Sequence, residues 1–315
     1  MVKKNLYILT EGGKDIGYGH LTRCISLLQF YPYSKLIIFA KDKENVEKFL
    51  KLQNIPKDRY SFYNWHYGCM PNLKDKFVFI DSYLAKDLLL KKIEKITKKL
   101  IFYDDYKQRN YKLYKNSIII NPTFSAKELF FSFKKNILLG PKFLMLRKAF
   151  FKVSRKKINK KVKKIFVSLG GNSHKEKNIL LNKVIKLLNK FNFEIVIPKN
   201  LDDVKMKKIM QEVDLAICAG GQTILELTRV GVPHISVCLA DNQLPTLKYL
   251  TRKNLTFFAG WYWDKSLLKN IEKYLDILSD FEIRKKISQK LQSLIDGKGT
   301  LRIINAAFGK RIAAY

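Results

Sequence analysis

Acidic residues are scarce in this chain of 315 residues: 27 Asp and Glu stand against 61 Lys and Arg, a formal net charge of +34. So large a basic excess raises nucleic acid as a partner. Arginine is scarce as well, however, with 10 residues against 51 lysines, and specific recognition of phosphates and bases favours arginine forks. The lysines are spread over nearly every predicted helix, so no nucleic-acid partner is expected. The charge is compatible with a weak peripheral attraction to an anionic membrane face. Long apolar runs are missing too, since no segment reaches the roughly 18 residues of a membrane span. The opening Met1-Val2-Lys3-Lys4-Asn5 lacks the apolar core of a signal peptide, and a cytoplasmic protein is expected. Cysteine is limited to Cys24, Cys69, Cys218 and Cys238. None has CxxC or Cys/His ligand spacing, so reduced thiols are expected and no metal site.

Apolar residues make up 47% of the chain, enough for sizeable cores, and the length suits two domains of about 150 residues each. Apolar runs alternate with helical spacing. Leu6–Leu9, Leu36–Ala40, Tyr60–Tyr63, Phe77–Ile80, Leu100–Tyr103 and Ser117–Ile120 predict strands; 45–52 and 84–97 predict helices. Strands that are apolar throughout and alternate with helices indicate a parallel sheet covered on both faces. The stretch 151–164 is dominated by Lys and Arg with little to bury, and predicts a linker. The alternation then restarts, with strands at 165–169, 193–197, 214–219, 234–239 and 256–258, and helices at 175–189, 202–211 and 224–230. The expected organisation is a first Rossmann-like domain over 1–150, the linker 151–164, and a second Rossmann-like domain over 165–315.

In parallel sheets of this kind ligands sit outside the carboxyl ends of the strands. His20, Tyr83, Asp105 and Asn121 all follow strand ends and should converge there. His20 stands in Gly17-Tyr18-Gly19-His20-Leu21-Thr22-Arg23, a glycine-punctuated turn between a strand and a helix. Backbone N–H groups and the helix dipole favour an anion or a polarised water at such a place. Imidazole is the side chain best able to remove a proton near neutral pH, which makes His20 the candidate base; a histidine that only caps or packs the helix is the alternative. The spacing Leu21, Ile25, Leu28 puts Arg23 off the buried stripe.

The second half carries Gly220-Gly221-Gln222-Thr223 at a helix start, which offers bare backbone N–H groups, a hydroxyl and a dipole to a diphosphate. Glu226, one helical turn on, is placed to accept hydrogen bonds from both hydroxyls of a ribose. The same Thr223/Glu226 spacing is also that of a helix-capping pair. Asn242-Gln243 adds amides able to bind a hexose or orient a water, or else forms a loop turn.

These pieces form an ordered series along the chain: Ile16-Gly17-Tyr18-Gly19-His20-Leu21-Thr22-Arg23-Cys24, Ile80-Asp81-Ser82-Tyr83, Tyr103-Asp104-Asp105, Asn121-Pro122, Leu146–Phe150, Val167-Ser168-Leu169-Gly170-Gly171, Asp214–Glu226, Leu239–Gln243 and Leu294–Gly299. The series resembles the UDP-sugar hydrolases of pseudaminic acid biosynthesis, which cleave UDP-2,4-diacetamido-2,4,6-trideoxy-β-L-altropyranose. That family is related to the inverting glycosyltransferases with two Rossmann-like domains, the lipid II N-acetylglucosaminyltransferase among them. The resemblance implies an α/β fold of GT-B type, with two Rossmann-like domains facing each other across a cleft. It further implies that His20 acts on the attacking water, that Tyr83 and Asn242 lie in the active site, and that UDP is held by the glycine-rich turn and Glu226. Gly17, Gly19, Arg23, Gly171, Gly220, Gly221, Gln222, Thr223, Glu226 and Gln243 are accordingly the expected substrate-binding set, with no metal or organic cofactor.

Three features depart from that family. Thr10-Glu11-Gly12-Gly13 stands where an Arg-x-Asp-like start is usual, and only one helix fits between Ile197 and Asp214 where another strand–helix pair is usual. The segment around Trp261-Tyr262-Trp263 is individual. The first departure borders the expected sugar pocket and leaves the hexose open. Two other functions fit the same residues: an inverting glycosyltransferase, and a nucleotide-sugar-binding protein without catalysis.

Overall fold

The structure, a computed structural model, describes residues 4–105, 109–129, 136–170 and 175–309. It divides into two compact units, Met1–Lys148 with Gly297–Tyr315, and Ala149–Asp296.

The first unit holds strands β1 (Leu6–Glu11), β2 (Ser34–Phe39), β3 (Tyr60–Phe62), β4 (Phe77–Asp81), β5 (Lys99–Tyr103), β6 (Ile118–Asn121) and β7 (Ile137–Leu139). They form one sheet in the order β3-β2-β1-β4-β5-β6-β7, parallel at every pairing. Helices α1 (Gly19–Phe30), α2 (Lys43–Leu52), α3 (Asp87–Ile96) and the short α4 (Ala126–Leu129) lie along the crossovers. Helix burial explains the strand composition: all five residues of β4 and all four of β6 are buried, so both faces are apolar. The chain builds outward from β1 through β2 to β3, then returns to start again at β4. The carboxyl ends of β1 and β4 therefore flank the topological switch point, where such sheets bind ligands.

The second unit repeats this on a smaller scale. Strands β8 (Lys164–Ser168), β9 (Glu194–Val196), β10 (Leu215–Ala219), β11 (His234–Cys238) and β12 (Phe257–Trp261) are ordered β12-β11-β10-β8-β9, again all parallel. Its helices are α5 (Lys175–Leu188), α6 (Asp203–Glu212), α7 (Gln222–Val230), α8 (Leu244–Arg252), α9 (Leu267–Ile277) and α10 (Phe281–Leu294). The switch point lies between β8 and β10, so the turns after those two strands border it. Among the described residues no helix is long and apolar enough to cross a membrane.

Two sequence expectations need correction. Residues 151–164 are not a loose connection, because the segment is strapped to the second unit. The Lys156 ammonium donates to the carbonyls of Gln211 and Val213, and Arg284 donates to those of Asn159 and Lys160. Burial pushes the Lys156 ammonium down to about 8. Lysine-rich composition concealed this, since a lysine reads as solvated until its head group is seen on the carbonyls that end a helix.

The second correction concerns the carboxyl terminus. Helix α11 (Gly299–Phe308) belongs to the first unit and not to the second as 165–315 implied. Thr300 and Ser26 hydroxyls meet at 2.9 Å, Arg302 donates to the Lys142 carbonyl at 2.9 Å, and Phe308 packs on Tyr31 and Phe77. A β-carbon on Gly299 would sit 2.0 Å from the Leu144 carbonyl oxygen, an approach that only glycine permits. Gly299→Ala is therefore expected to destabilise the protein by roughly 1–3 kcal/mol or more, read as a lower urea midpoint; an unchanged midpoint would mean that α11 docks elsewhere.

Candidate active site

At the switch point of the first unit, β1 ends in Glu11 and β4 in Asp81, both buried. A carboxylate at the end of an apolar strand must be paired if it is to stay ionised there, and each of these is. Asp81 Oδ1 accepts from His20 Nδ1 at 2.8 Å and from Arg23 Nη2 at 2.6 Å, and Oδ2 accepts from Arg23 Nε at 2.5 Å. Burial alone would raise the Asp81 carboxyl. The charge of Arg23 and the hydrogen bonds from Arg23 and His20 more than offset this and hold it well below the usual carboxylate range. The 3.0 Å approach of Arg23 Nη2 to His20 Nδ1 follows from both nitrogens donating to one oxygen. With Nδ1–H committed to Asp81, the acceptor nitrogen of His20 is Nε2.

His20 is the second residue of α1 and is only 6% exposed. The imidazole is thus less open than its helix-start position predicts. Tyr83 covers it edge-on at 4.5 Å between ring centroids, and the Tyr83 hydroxyl donates to Asp105 Oδ1 at 2.6 Å. Arg23 Nη1 donates to Asp105 Oδ2 at 2.7 Å. Arg23 is therefore not off the buried stripe as the helical spacing implied: it is 8% exposed and braces two carboxylates.

Glu11 closes the other side. Its Oε2 accepts from the Ser82 hydroxyl and from His66 Nε2, the latter at 2.9 Å, while Oε1 accepts from the Tyr83 amide at 2.8 Å. Burial would raise the Glu11 carboxyl, but the His66 hydrogen bond and the donors of Ser82 and Tyr83 prevail and lower it. Arg109 fixes the same loop by donating to the carbonyls of Ser82 and Ala85. This loop explains why α3 starts at Asp87 and not at Leu84. Asn121 lies at the end of β6 with Oδ1 accepting from the Thr123 amide and hydroxyl; its Nδ2 has no partner among the described residues.

Of His20, Tyr83, Asp105 and Asn121, expected to converge at the strand ends, the structure brings the first three into one cluster; sequence reasoning gave no role to Glu11, His66 or Asp81. The available signal was a carboxylate closing each of two largely apolar strands at the switch point. His66, in a short turn after β3, offered none. Of the glycines, Gly17 (φ +91°) pairs its backbone with Gly13 inside the β1–α1 loop, and Gly19 opens α1 with nothing near the position of a β-carbon.

In the second unit, α7 starts at Gln222 with Gly221 as its N-cap and no side-chain cap. Thr223 is inside the helix, so it does not form a capping box with Glu226. Gly220 is explained by packing, because a β-carbon there would meet Leu247 at 2.8 Å; at Gly221 the nearest atom is Gln243 Nε2 at 3.8 Å. Gly221 is thus open at the start of α7, and a helix N-terminus is the kind of place that suits an anion. Gln222 and Thr223 are half-buried and Glu226 is buried. Gln243 Oε1 accepts from the Leu239 amide at 3.0 Å, tying its own loop, while Asn242 is half-buried in the turn Asp241–Gln243. Gly171 lies outside the described residues. Its neighbour Gly170 (φ +86°) lies under the Lys177 ammonium, 3.2 Å from the position of a β-carbon, and partial burial lowers that ammonium. Lys177 is a cation at the switch point that the sequence reading passed over. Among the described residues, no group of three or more His, Cys, Asp or Glu is arranged to hold a metal ion.

Two parallel sheets with alternating helices give two Rossmann-like units, the GT-B-like architecture. Residues 141–277 match the Glycosyltransferase family 28 C-terminal domain. The chain is 28% identical over 275 residues to the uncharacterized protein MJ1062 of Methanocaldococcus jannaschii, a match covering 75% of this chain and 56% of the relative. It is 23% identical to the spore coat polysaccharide biosynthesis protein SpsG of Bacillus subtilis, over 94% of this chain and 95% of SpsG. It is 27% identical, over 72% of this chain, to the Helicobacter pylori pseudaminic acid cytidylyltransferase and UDP-2,4-diacetamido-2,4,6-trideoxy-beta-L-altropyranose hydrolase, of which it spans 43%. The chain thus spans about half the length of two of these relatives. Among solved structures, Acinetobacter baumannii MurG shares the fold with a TM-score of 0.63 at 14% identity, over 97% of this chain and 99% of MurG.

Removing the Asp81 charge leaves Arg23 buried and underpaired. Asp81→Asn is expected to cost about 3–5 kcal/mol at neutral pH. Because the folded Asp81 carboxyl titrates below its ordinary value of 3.8, its stabilisation is complete above that pH and lost as pH falls toward the folded value. The difference in urea stability between wild type and Asp81→Asn should therefore shrink on acidification below that range. A pH-independent difference would mean that Asp81 is not the paired carboxylate.

Proposed function

We propose that this protein hydrolyses a UDP-linked amino-deoxy hexose at the anomeric C–O bond, releasing UDP and the free sugar. The observation that carries the reading is the Asp81–His20 pair: Nδ1–H is fixed on a buried carboxylate, and Nε2 is left as the acceptor at the switch point of the first unit. In this reading His20 Nε2 takes a proton from water as its oxygen bonds to the anomeric carbon, with inversion. The C–O bond breaks and its electron pair leaves with the UDP β-phosphate oxygen. Asp81 steadies the imidazolium that forms, and Tyr83 keeps the ring in place. The Gly221 turn and the first amides of α7 receive the diphosphate, Lys177 adds charge at the same switch point, Glu226 takes the ribose, and Asn242 the hexose. Donors aimed at the departing charge lower the barrier because they need no reorganisation when the bond breaks.

Similarity to the bifunctional Helicobacter pylori protein supports hydrolysis of a sugar of pseudaminic type. The family 28 match over 141–277 supports a second reading, an inverting glycosyltransferase in which a sugar or lipid hydroxyl replaces water.

His20→Ala should lower turnover by about 10²- to 10⁴-fold, the contribution of a positioned base, with UDP affinity nearly unchanged; full turnover would remove His20 from the mechanism. Glu226→Ala should weaken UDP binding by about 1.5–3 kcal/mol, the worth of hydrogen bonds to a charged group. Equal UDP affinity by calorimetry would overturn the ribose assignment.

A further inference from the structure

Glu11 stands in the stretch Thr10-Glu11-Gly12-Gly13, and the reaction above gives it no task. Its Oε1 lies 3.9 Å from His20 Nε2. That distance is too long for a direct hydrogen bond and short enough for one shared partner. The surrounding groups determine what that partner is. On the Nδ1 side His20 faces Asp81 from β4 and Arg23 from its own helix, with Asp105 beyond Arg23. On the Nε2 side it faces Glu11 from β1, and the Tyr83 ring stands T-shaped against the imidazole. Glu11 is held by His66, Ser82 and the Tyr83 amide, so it cannot swing away without leaving buried donors unpaired.

With Nδ1–H donated to Asp81, the Nε2 lone pair and the Glu11 carboxylate are two acceptors facing each other. Two acceptors repel unless hydrogens lie between them. An oxygen about 2.8 Å from each would see them at close to a right angle, and water has two O–H bonds to give. An alcohol has one, so an acceptor hydroxyl would satisfy His20 and turn a lone pair toward the carboxylate, or the reverse.

We infer that Glu11 makes the site selective for water over an alcohol as the nucleophile, by accepting the water's second O–H while His20 accepts the first. The inference rests on the hydrolase reading and deepens it. In the step, the O–H facing His20 breaks, its proton passes to Nε2, and the oxygen bonds to the anomeric carbon. The O–H facing Glu11 stays intact as the hydroxyl of the free sugar. Glu11 gains no proton, and the electron pair leaves with UDP.

The test is product partitioning with added methanol, using the full chain and a UDP-amino-deoxy hexose. Wild type should give free sugar almost exclusively. Glu11→Gln replaces one acceptor by an amide that can donate to an alcohol's lone pair, and should raise the ratio of methyl glycoside to free sugar at least tenfold while UDP affinity holds. Glu11→Asp keeps a charge for His66 and Ser82 but withdraws the oxygen from Nε2; it should raise the ratio as well, which keeps the test open if the glutamine variant fails to fold. A wild-type ratio in the variants overturns the inference alone. Wild type that forms glycoside and no free sugar overturns the hydrolase reading and the inference together.

Discussion

The site in the first unit depends on one buried ion pair, Arg23 with Asp81. Burying either charge alone would be strongly unfavourable, and the cost is recovered only because the geometry is bidentate and Asp81 has a third donor in His20. That requirement has a chemical consequence. Once Arg23 and His20 share the same carboxylate, the imidazole can present only one nitrogen as an acceptor, and its orientation is fixed by groups that also hold α1 against β4. Fold stability and the protonation pattern of the candidate base are thus one constraint.

A second carboxylate sets the character of the opposite side. Glu11 gathers His66, Ser82 and the amide of Tyr83, so the loop after β4 is shaped around its charge. Arg109 then ties that loop from behind through two carbonyls. The arrangement explains why these polar residues tolerate burial at the end of apolar strands. The second unit uses different means: an uncapped helix start, an open glycine and one half-buried ammonium. The first unit instead gathers paired carboxylates around His20.

Much of this was legible from the residues alone. Continuous apolar runs between helical patterns implied parallel sheets, and polar residues expected to gather at strand ends, His20, Tyr83 and Asp105, do cluster there. The short strand Ile137–Leu139 escaped notice, since three residues carry no period. The buried Arg23 was misread because apolar spacing describes where methyl groups go and is silent about a guanidinium whose partners, Asp81 and Asp105, lie 58 and 82 residues away. The return of α11 to the first unit was hidden for the same reason: its evidence is a backbone approach at Gly299, which no local pattern announces. Glu11 and His66 illustrate the limit in another way, because each takes its meaning from the other.

The most direct measurement is the fate of solvent oxygen. Run in heavy-oxygen water with a UDP-amino-deoxy hexose and no acceptor, the protein should release UDP and free reducing sugar in equal amounts, with the label on the anomeric hydroxyl and none in the phosphates. Label in the diphosphate would mean cleavage of the P–O bond and would contradict a base poised to drive water onto carbon. UDP release only after an acceptor is supplied would contradict hydrolysis itself.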